Sequence, residues 1–318
     1  FQSITTCSAP KLCNDQLGCV DCTPGMSVCA NNNTEVHSCT SEGAVGPMTQ
    51  QCTFGQTCSG GSCLDSCELA ASEFVYLVDS QNNFLSFEPR LDSDPKSLKL
   101  IGKLTCSKTS TPYAMAVDRK GVAYVVYTDG QLFRVSTLTG ACVATPFAAN
   151  QQGFTTFGMG FSSNGGGAAE TLWVVDAPFD GNGGDARLAS IDTTTFKLSV
   201  VGTIAPAIPR GELTGTGDGR LLAYWADPNS TAGSHVAQLD KGNARVLAQT
   251  FLPTVGHPRM AYAFAFWGGD FWIFTSRGNF ISQGTDVTRF TPGQPAVAVA
   301  TFPSTVVGAG VSTCAPAE

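Results

Sequence analysis

The chain has 318 residues, of which only 14% are charged, and its formal net charge is −7. The 18 basic residues form no run or patch, which excludes a typical nucleic-acid-binding surface. No apolar run is long enough to cross a membrane, so we expect no membrane span. The chain has neither an initiating Met nor a signal-peptide pattern, and we expect it to start after processing or inside a longer protein.

The number and spacing of the thirteen cysteines indicate the cellular compartment in which the protein works. Ten of them lie between Cys7 and Cys67, but only Cys19 and Cys22 form a CxxC pair, and the three histidines are scattered. This spacing favours disulfides over zinc. We therefore predict an extracellular protein, either secreted or displayed on a bacterial cell surface.

The cysteine spacing divides the N-terminal part into two modules. Residues 1–21 resemble the tail of a truncated copy of the fuller cysteine-rich unit in residues 22–67. Short separations favour small disulfide loops, whereas connectivity inside the six-cysteine unit stays open. The loops expected on this basis are Cys13–Cys19 and Cys58–Cys63. Cys7 is the cysteine expected to have no disulfide partner within this chain, because its partner would lie upstream of Phe1.

One family resemblance covers roughly Cys7–Cys67. The segments CVDCTPGMSVCANNNTEVHSCTSEG and QQCTFGQTCSGGSCLDSC resemble cysteine-rich modules of secreted and cell-surface proteins of myxobacteria and related bacteria. In those proteins, similar modules precede regions described as IgGFc-binding-like. The continuation usual in that family is absent after Cys67. The resemblance therefore implies surface location and not immunoglobulin binding.

Residues 68–318 carry a strand pattern that repeats along the chain. Three strands are predicted in 68–104 and four in 111–147, joined by tight turns such as Asp129-Gly130. Matching first strands start at Tyr113, Phe157, Arg210, Arg259 and Val306, at spacings of 44 to 53 residues. This period is typical of propeller blades. We predict an all-β, five-bladed β-propeller in which strands from both ends of the domain form one blade; the alternative is a β-sandwich.

Small residues crowd the predicted first strands, which lie innermost in a propeller. Small side chains let backbones approach closely around a central axis. The residues concerned are Gly158, Gly160, Gly211, Gly215, Ala261, Ala263, Ala265, Gly308 and Gly310.

Two disulfides are predicted in the propeller from the placement of its strands. Cys67 enters the closing blade and Cys314 leaves it, so a bond between them would hold the ring shut. Cys106 follows one outer strand and Cys142 begins the next, and we expect these two to pair.

Loops at one end of the predicted propeller bring together candidate binding residues. Arg210 and Arg259 each follow a Pro at equivalent places in neighbouring blades, which could clamp an anionic or sugar ligand. Alternatively, the arginines plug the ring by bonding to Glu212 and backbone carbonyls. The candidate ligand-binding residues are Tyr113, Arg210, Glu212, His257, Arg259 and Arg277.

A Gly-rich loop offers oxygen ligands for Ca²⁺, the one cofactor that the sequence suggests. The candidate ligands are Asp176, Asp180, Asn182 and Asp185. The spacing matches no known calcium loop, and Asx-turns in an exposed loop explain the same residues.

The functional prediction is a noncatalytic binding, adhesion or scaffold protein that presents one propeller face to a glycan or a cell-surface protein. It could belong to a longer polypeptide or assembly. The alternative is an extracellular polysaccharide hydrolase, which needs two carboxylates. Its candidate acid and base are Glu212 with Asp176 or Asp227.

Overall fold

The computed structural model describes residues 7–8, 11–31, 33–53, 56–64, 70–165, 169–176, 185–226, 232–256, 261–277 and 284–318. The chain divides into two compact units, Phe1–Leu69 and Ala70–Glu318. Each unit has its own strands and its own buried cluster, and each is described by itself.

The first unit is a small β module. Two hairpins, β1–β2 and β6–β7, accompany a three-stranded antiparallel sheet, β3–β4–β5. Its buried cluster contains Val36, Cys52 and Cys58, so disulfides supply much of its small core. The strands are β1 (Leu12–Asn14), β2 (Gly18–Val20), β3 (Ser27–Ala30), β4 (Glu35–Cys39), β5 (Val45–Gln51), β6 (Thr57–Ser59) and β7 (Ser62–Leu64).

The disulfides of this unit correct the loops expected from sequence separation. The observed bonds are Cys7–Cys19, Cys22–Cys39, Cys29–Cys58 and Cys52–Cys63. The expected pairs Cys13–Cys19 and Cys58–Cys63 are therefore wrong. The expectation that Cys7 has no partner within the chain is also wrong, since it is bonded to Cys19.

The physical reason is that these disulfides join separate elements of the unit. Cys58 and Cys63 face each other across the β6–β7 hairpin, yet Cys58 is only 2% exposed and bonds to Cys29 on β3. Cys13 similarly faces Cys19 across β1–β2 but lies exposed, while Cys19 bonds to Cys7.

The second unit is built from four-stranded antiparallel sheets, five of which lie in the described residues. The closing sheet contains β8 (Val75–Asp79), β9 (Asn83–Phe87), β10 (Leu98–Lys103) and β27 (Val306–Gly310). The first sheet contains β11 (Pro112–Val117), β12 (Val122–Tyr127), β13 (Leu132–Ser136) and β14 (Cys142–Ala144). The second contains β15 (Phe157–Ser163), β16 (Glu170–Asp176), β17 (Arg187–Ile191) and β18 (Leu198–Thr203).

The two remaining sheets follow in chain order. The third sheet contains β19 (Glu212–Gly215), β20 (Leu221–Ala226), β21 (Ala232–Leu239) and β22 (Val246–Gly256). The fourth contains β23 (Tyr262–Trp267), β24 (Asp270–Ser276), β25 (Thr285–Phe290) and β26 (Val297–Phe302). Short 3-10 helices occupy Ala70–Glu73, Pro89–Leu91 and Pro95–Ser97. Within the described ranges, no helix has the length and apolar character needed to cross a membrane.

The sheets form a closed ring. The innermost strands β11, β15, β19, β23 and β27 contact one another in that order, and β27 also contacts β11. In the closing sheet, β27 pairs antiparallel with β8, so strands from both ends of the unit share one sheet. The predicted all-β propeller with this closure is therefore confirmed.

Apolar side chains fill the interfaces between neighbouring sheets. Strands β12 and β20 are buried along their whole length, because each of their faces packs against a different neighbouring sheet. All four tryptophans are at most 9% exposed, which places them in this packing and not on an open sugar-stacking platform.

Glycines let the innermost strands approach closely. A Cβ on Gly160 would lie 2.7 Å from the Cα of Thr214, and one on Gly308 would lie 2.8 Å from the backbone nitrogen of Met115. A Cβ on Gly215 would overlap the carbonyl oxygen of Phe161. Because these neighbours are backbone atoms, they cannot turn aside as a side chain could.

One disulfide in the propeller is the predicted one. Cys106 and Cys142 are bonded with their Cα atoms 5.3 Å apart, linking the segment after β10 to β14 in the first sheet. Cys314 is also disulfide-bonded. Cys67 lies outside the described residues, so the Cys67–Cys314 pair stays a prediction.

The glycine contacts predict a large stability difference between two Gly→Ala variants. Gly215→Ala should lower the free energy of unfolding by about 1–3 kcal/mol, because its methyl group displaces strand β15. Gly202→Ala on β18 is the control, since a Cβ there meets nothing within 4 Å. Urea unfolding of both variants measures the difference. Equal stability would contradict the close approach of β15 and β19.

Candidate functional site

The candidate site lies at the top face, defined here as the face where the innermost strands begin. Arg210 lies two residues before Glu212, the first residue of β19. Tyr113 lies at the start of β11, and Tyr262 begins β23. We call Tyr113, Arg210, Glu212 and Tyr262 the top-face cluster.

Arg210 reaches across the mouth of the ring. Its Cζ atom lies 4.7 Å from the ring centroid of Tyr113 and 5.4 Å from that of Tyr262. These tyrosines belong to the first and fourth sheets, while Arg210 belongs to the third. Both rings attract the half-buried guanidinium through their electron-rich faces.

The two tyrosines hold this arrangement as neutral phenols. The hydroxyl of Tyr262 donates a hydrogen bond of 2.5 Å to the carbonyl oxygen of Arg210, which anchors the backbone before β19. Burial raises the pKa of Tyr262 and of Tyr113, although the Arg210 charge opposes this rise in both. Neither phenol carries charge at neutral pH.

Glu212 is a buried carboxyl group at the inner wall of the ring. Its side chain is only 3% exposed, and a Cβ on Gly158 of β15 would lie 3.1 Å from its Oε2 atom. Burial raises the pKa of Glu212 to about 8, and the Arg210 charge offsets this only in part. Glu212 is therefore largely protonated at pH 7.

Two polar atoms of this cluster lack hydrogen bonds. Nε of Arg210 and Oε1 of Glu212 are buried, and neither has a partner in the described part of the chain. A buried polar group without a partner is unfavourable by about 1–3 kcal/mol, more when charged. The pair is therefore ready to accept hydrogen bonds from, or donate them to, a bound molecule.

The structure unites three of the six residues predicted to bind a ligand. Tyr113, Arg210 and Glu212 belong to the top-face cluster. Arg277 does not: its exposed side chain forms a 2.8 Å ion pair with Asp286. His257 and Arg259 lie outside the described residues.

Asp176 is already engaged by a neighbouring arginine. Its oxygens accept bonds from the backbone nitrogen of Arg187 at 2.6 Å and from Nε of Arg187 at 2.7 Å, and its side chain is buried. This pairing argues against Asp176 as a free acid or base of a hydrolase, and against it as a calcium ligand. Sequence reasoning missed Arg187 because it lies eleven positions away, on the next strand.

Little is described of the remaining residues in the calcium and hydrolase predictions. Asp180, Asn182 and Asp227 lie outside the described residues, and Asp185 is exposed. Within the described ranges, no group of three His, Cys, Asp or Glu side chains is placed to hold a metal ion. Calcium binding stays a prediction.

Two further carboxyl groups, those of Asp118 and Glu170, lie at the opposite face and hold turns together. Burial raises the pKa of Asp118 to about 7, yet its Oδ1 accepts bonds from the backbone nitrogens of Lys120 and Val122. Glu170 accepts bonds from the Arg119 backbone and the Thr313 hydroxyl, each at 2.7 Å. These groups come after the end of β11 and at the start of β16, so they cannot serve as the second carboxylate for Glu212.

Sequence reasoning missed Tyr262 as a member of the site. A signal was present, because Tyr113 and Tyr262 each begin a Tyr-Ala-x-Ala segment on an innermost strand. Equivalent positions in a propeller lie around the same axis, so the repeat places both rings at the top face.

Comparisons with known proteins leave the function open. No family model and no curated protein matches this chain, so the likeness of its cysteine-rich part to bacterial surface modules stays a resemblance. Among solved structures, the Dos1 propeller aligns with a TM-score of 0.38 and 12% identity over 91% of this chain and 83% of that one. A protein of unknown function from Bacteroides caccae aligns with a TM-score of 0.42 and 9% identity over 74% of this chain and 97% of that one. Similarity this remote carries no argument about function.

The raised pKa of Glu212 predicts a pH-dependent stability. Glu212 ionises near pH 4.5 when unfolded but only near pH 8 when folded, so the folded state holds the extra proton between these values. Its stabilising contribution is therefore lost as the pH rises through this window. As the pH rises through this window, the free energy of unfolding of the wild type should fall by an amount on the order of 4 kcal/mol, and Glu212→Gln should not show this fall.

Urea unfolding of the wild type and Glu212→Gln at several pH values between about 5 and 8 tests this expectation. Asp118 titrates in both proteins, so its effect cancels in the difference. If the free energy of unfolding varies with pH in the same way for both proteins, Glu212 is already ionised in the folded protein. That result would contradict the expectation.

Proposed function

We propose that this chain is a noncatalytic binding module of a secreted or surface-displayed protein, acting in adhesion or as a scaffold. Its ligand, a glycan or a surface protein, binds at the top face of the propeller. The disulfides of the first unit and the propeller support an extracellular setting, since such bonds persist in oxidising compartments.

The observation that carries this proposal is that two buried atoms, Nε of Arg210 and Oε1 of Glu212, have no hydrogen-bond partner in the described part of the chain. Structural polar groups in a protein interior are normally paired, whereas binding sites hold a few polar groups ready for a ligand. Tyr113 and Tyr262 fix the position of the guanidinium. The cluster is thus pre-organised for a ligand, which lowers the entropy lost on binding.

One observation favours the hydrolase as the second candidate. A carboxyl group with a pKa of about 8 is protonated at neutral pH, as a general acid must be. Glycoside hydrolysis also needs a second carboxylate within about 5–10 Å. Asp176, the described candidate for that role, is bonded to Arg187, and this favours binding without cleavage as the function.

A glycan array combined with a cleavage assay tests the proposed function. The purified chain should retain at least one immobilised bacterial or host glycan and release no products from it. Arg210→Gln should weaken that binding at least roughly tenfold, because it removes the central cation of the cluster.

Arg277→Gln is the matched control, since Arg277 is an exposed arginine that pairs with Asp286 and is not a member of the top-face cluster. Its binding should equal that of the wild type. Product release that depends on Glu212 would replace the proposal with the hydrolase. Binding that survives Arg210→Gln would place the site elsewhere on the molecule.

A further inference from the structure

We infer that the top-face cluster recognises a carboxylate group of its ligand. The guanidinium of Arg210 supplies the positive charge, and the protonated carboxyl group of Glu212 donates a second hydrogen bond. This inference rests on the proposed binding function and names the chemical class of the ligand.

The charge of the cluster is the first argument. Arg210 carries one positive charge, and Tyr113 and Tyr262 are neutral phenols. Because the carboxyl group of Glu212 is buried, it keeps its proton at pH 7 and supplies no counter-charge to Arg210. A single anion would balance that charge, whereas a neutral hydroxyl would not.

The geometry of the donors is the second argument. The Cζ atom of Arg210 lies over two tyrosine rings, which leaves the edge of the guanidinium for hydrogen bonds, and its buried Nε–H has no partner in the described residues. A carboxylate matches this planar edge with two acceptor oxygens. Glu212, two residues along the chain, offers the O–H donor of a neutral acid to the same group.

A phosphate monoester fits this site less well than a carboxylate. It carries nearly two negative charges at neutral pH, while the cluster supplies one positive charge. A carboxylate matches that charge and pairs with the guanidinium edge through two oxygens.

The titratable groups that surround Glu212 in the described residues are few. Arg210 faces it from the segment before β19, Tyr113 from β11 and Tyr262 from β23. Tyr224 on β20 packs behind Tyr262, with ring centroids 5.3 Å apart, and its hydroxyl lies 2.8 Å from Ser234 Oγ. Below the high pKa values of these tyrosines, Glu212 is the one group of this set that changes charge near neutral pH.

The experiment compares free carboxylates with their neutralised forms. The sugar pair is trigalacturonic acid and its methyl ester, and the peptide pair is a tripeptide with a free C-terminus and the same peptide as its amide. Isothermal titration calorimetry on the whole chain measures affinity, and the NMR signal of the Arg210 Nε–H group reports contact with the site. The two pairs distinguish a uronate sugar from a peptide carboxylate.

The free acid of at least one pair should bind and shift the Arg210 signal, while its ester or amide should not. Affinity should fall roughly tenfold between about pH 6.5 and about pH 9, because ionised Glu212 no longer donates and repels the anion. Glu212→Gln should keep the binding but lose this pH dependence, since an amide N–H still donates. Arg277→Gln should behave as the wild type.

The results that would overturn this inference alone differ from those that would also refute the proposed function. Equal binding of the ester, or glycan-array binding that needs Arg210 while no free acid binds, would refute carboxylate recognition and leave the binding function intact. The absence of binding on the array and to every probe would refute both. If Arg210→Gln binds the free acids as tightly as the wild type does, the acids bind elsewhere on the molecule. That result also overturns the inference.

Discussion

The structure depends on how closely its innermost strands can approach. At Gly160, Gly215 and Gly308, a Cβ would meet the backbone of the neighbouring inner strand, so glycine is the residue that fits there. This contact allows the sheets to meet around one axis and bury their apolar faces against each other. The pairing of β27 with β8 then joins the two ends of the unit, so the ring needs no open edge between its first and last strands.

The same close packing explains the chemistry at the top face. Gly158 brings β15 against the start of β19, which shields the carboxyl group of Glu212 from water. A shielded acid keeps its proton, and Arg210 then lies between Tyr113 and Tyr262 without an ionised partner in Glu212. A requirement of the fold thereby places a charged Arg210 beside a neutral Glu212 at the mouth of the ring, each with one buried atom that has no partner in the described residues. This arrangement is the basis for the proposed ligand site.

Much of the propeller was predictable because its signals are local and repeat. Strand alternation, glycine turns and a period of 44 to 53 residues indicated the sheet order, and strand placement indicated the Cys106–Cys142 bond. The pairing in the first unit was not predictable, because the hairpins place Cys13 opposite Cys19 and Cys58 opposite Cys63 while the bonds run to Cys7, Cys29 and Cys52. Similarly, the sequence placed Arg210 and Glu212 at one face, but the protonation of Glu212 and the pairing of Asp176 with Arg187 depend on burial and strand register.

The state of the Glu212 carboxyl group decides whether this account holds. Its side-chain ¹³C signal, assigned by its loss in Glu212→Gln, can be followed by NMR as the pH is raised from about 4 to about 9.5. The account predicts a titration midpoint close to pH 8, as burial beside a single guanidinium requires. A midpoint near the ordinary value of 4.5 would show a solvated or ion-paired carboxylate and would contradict an unsatisfied pair at the top face.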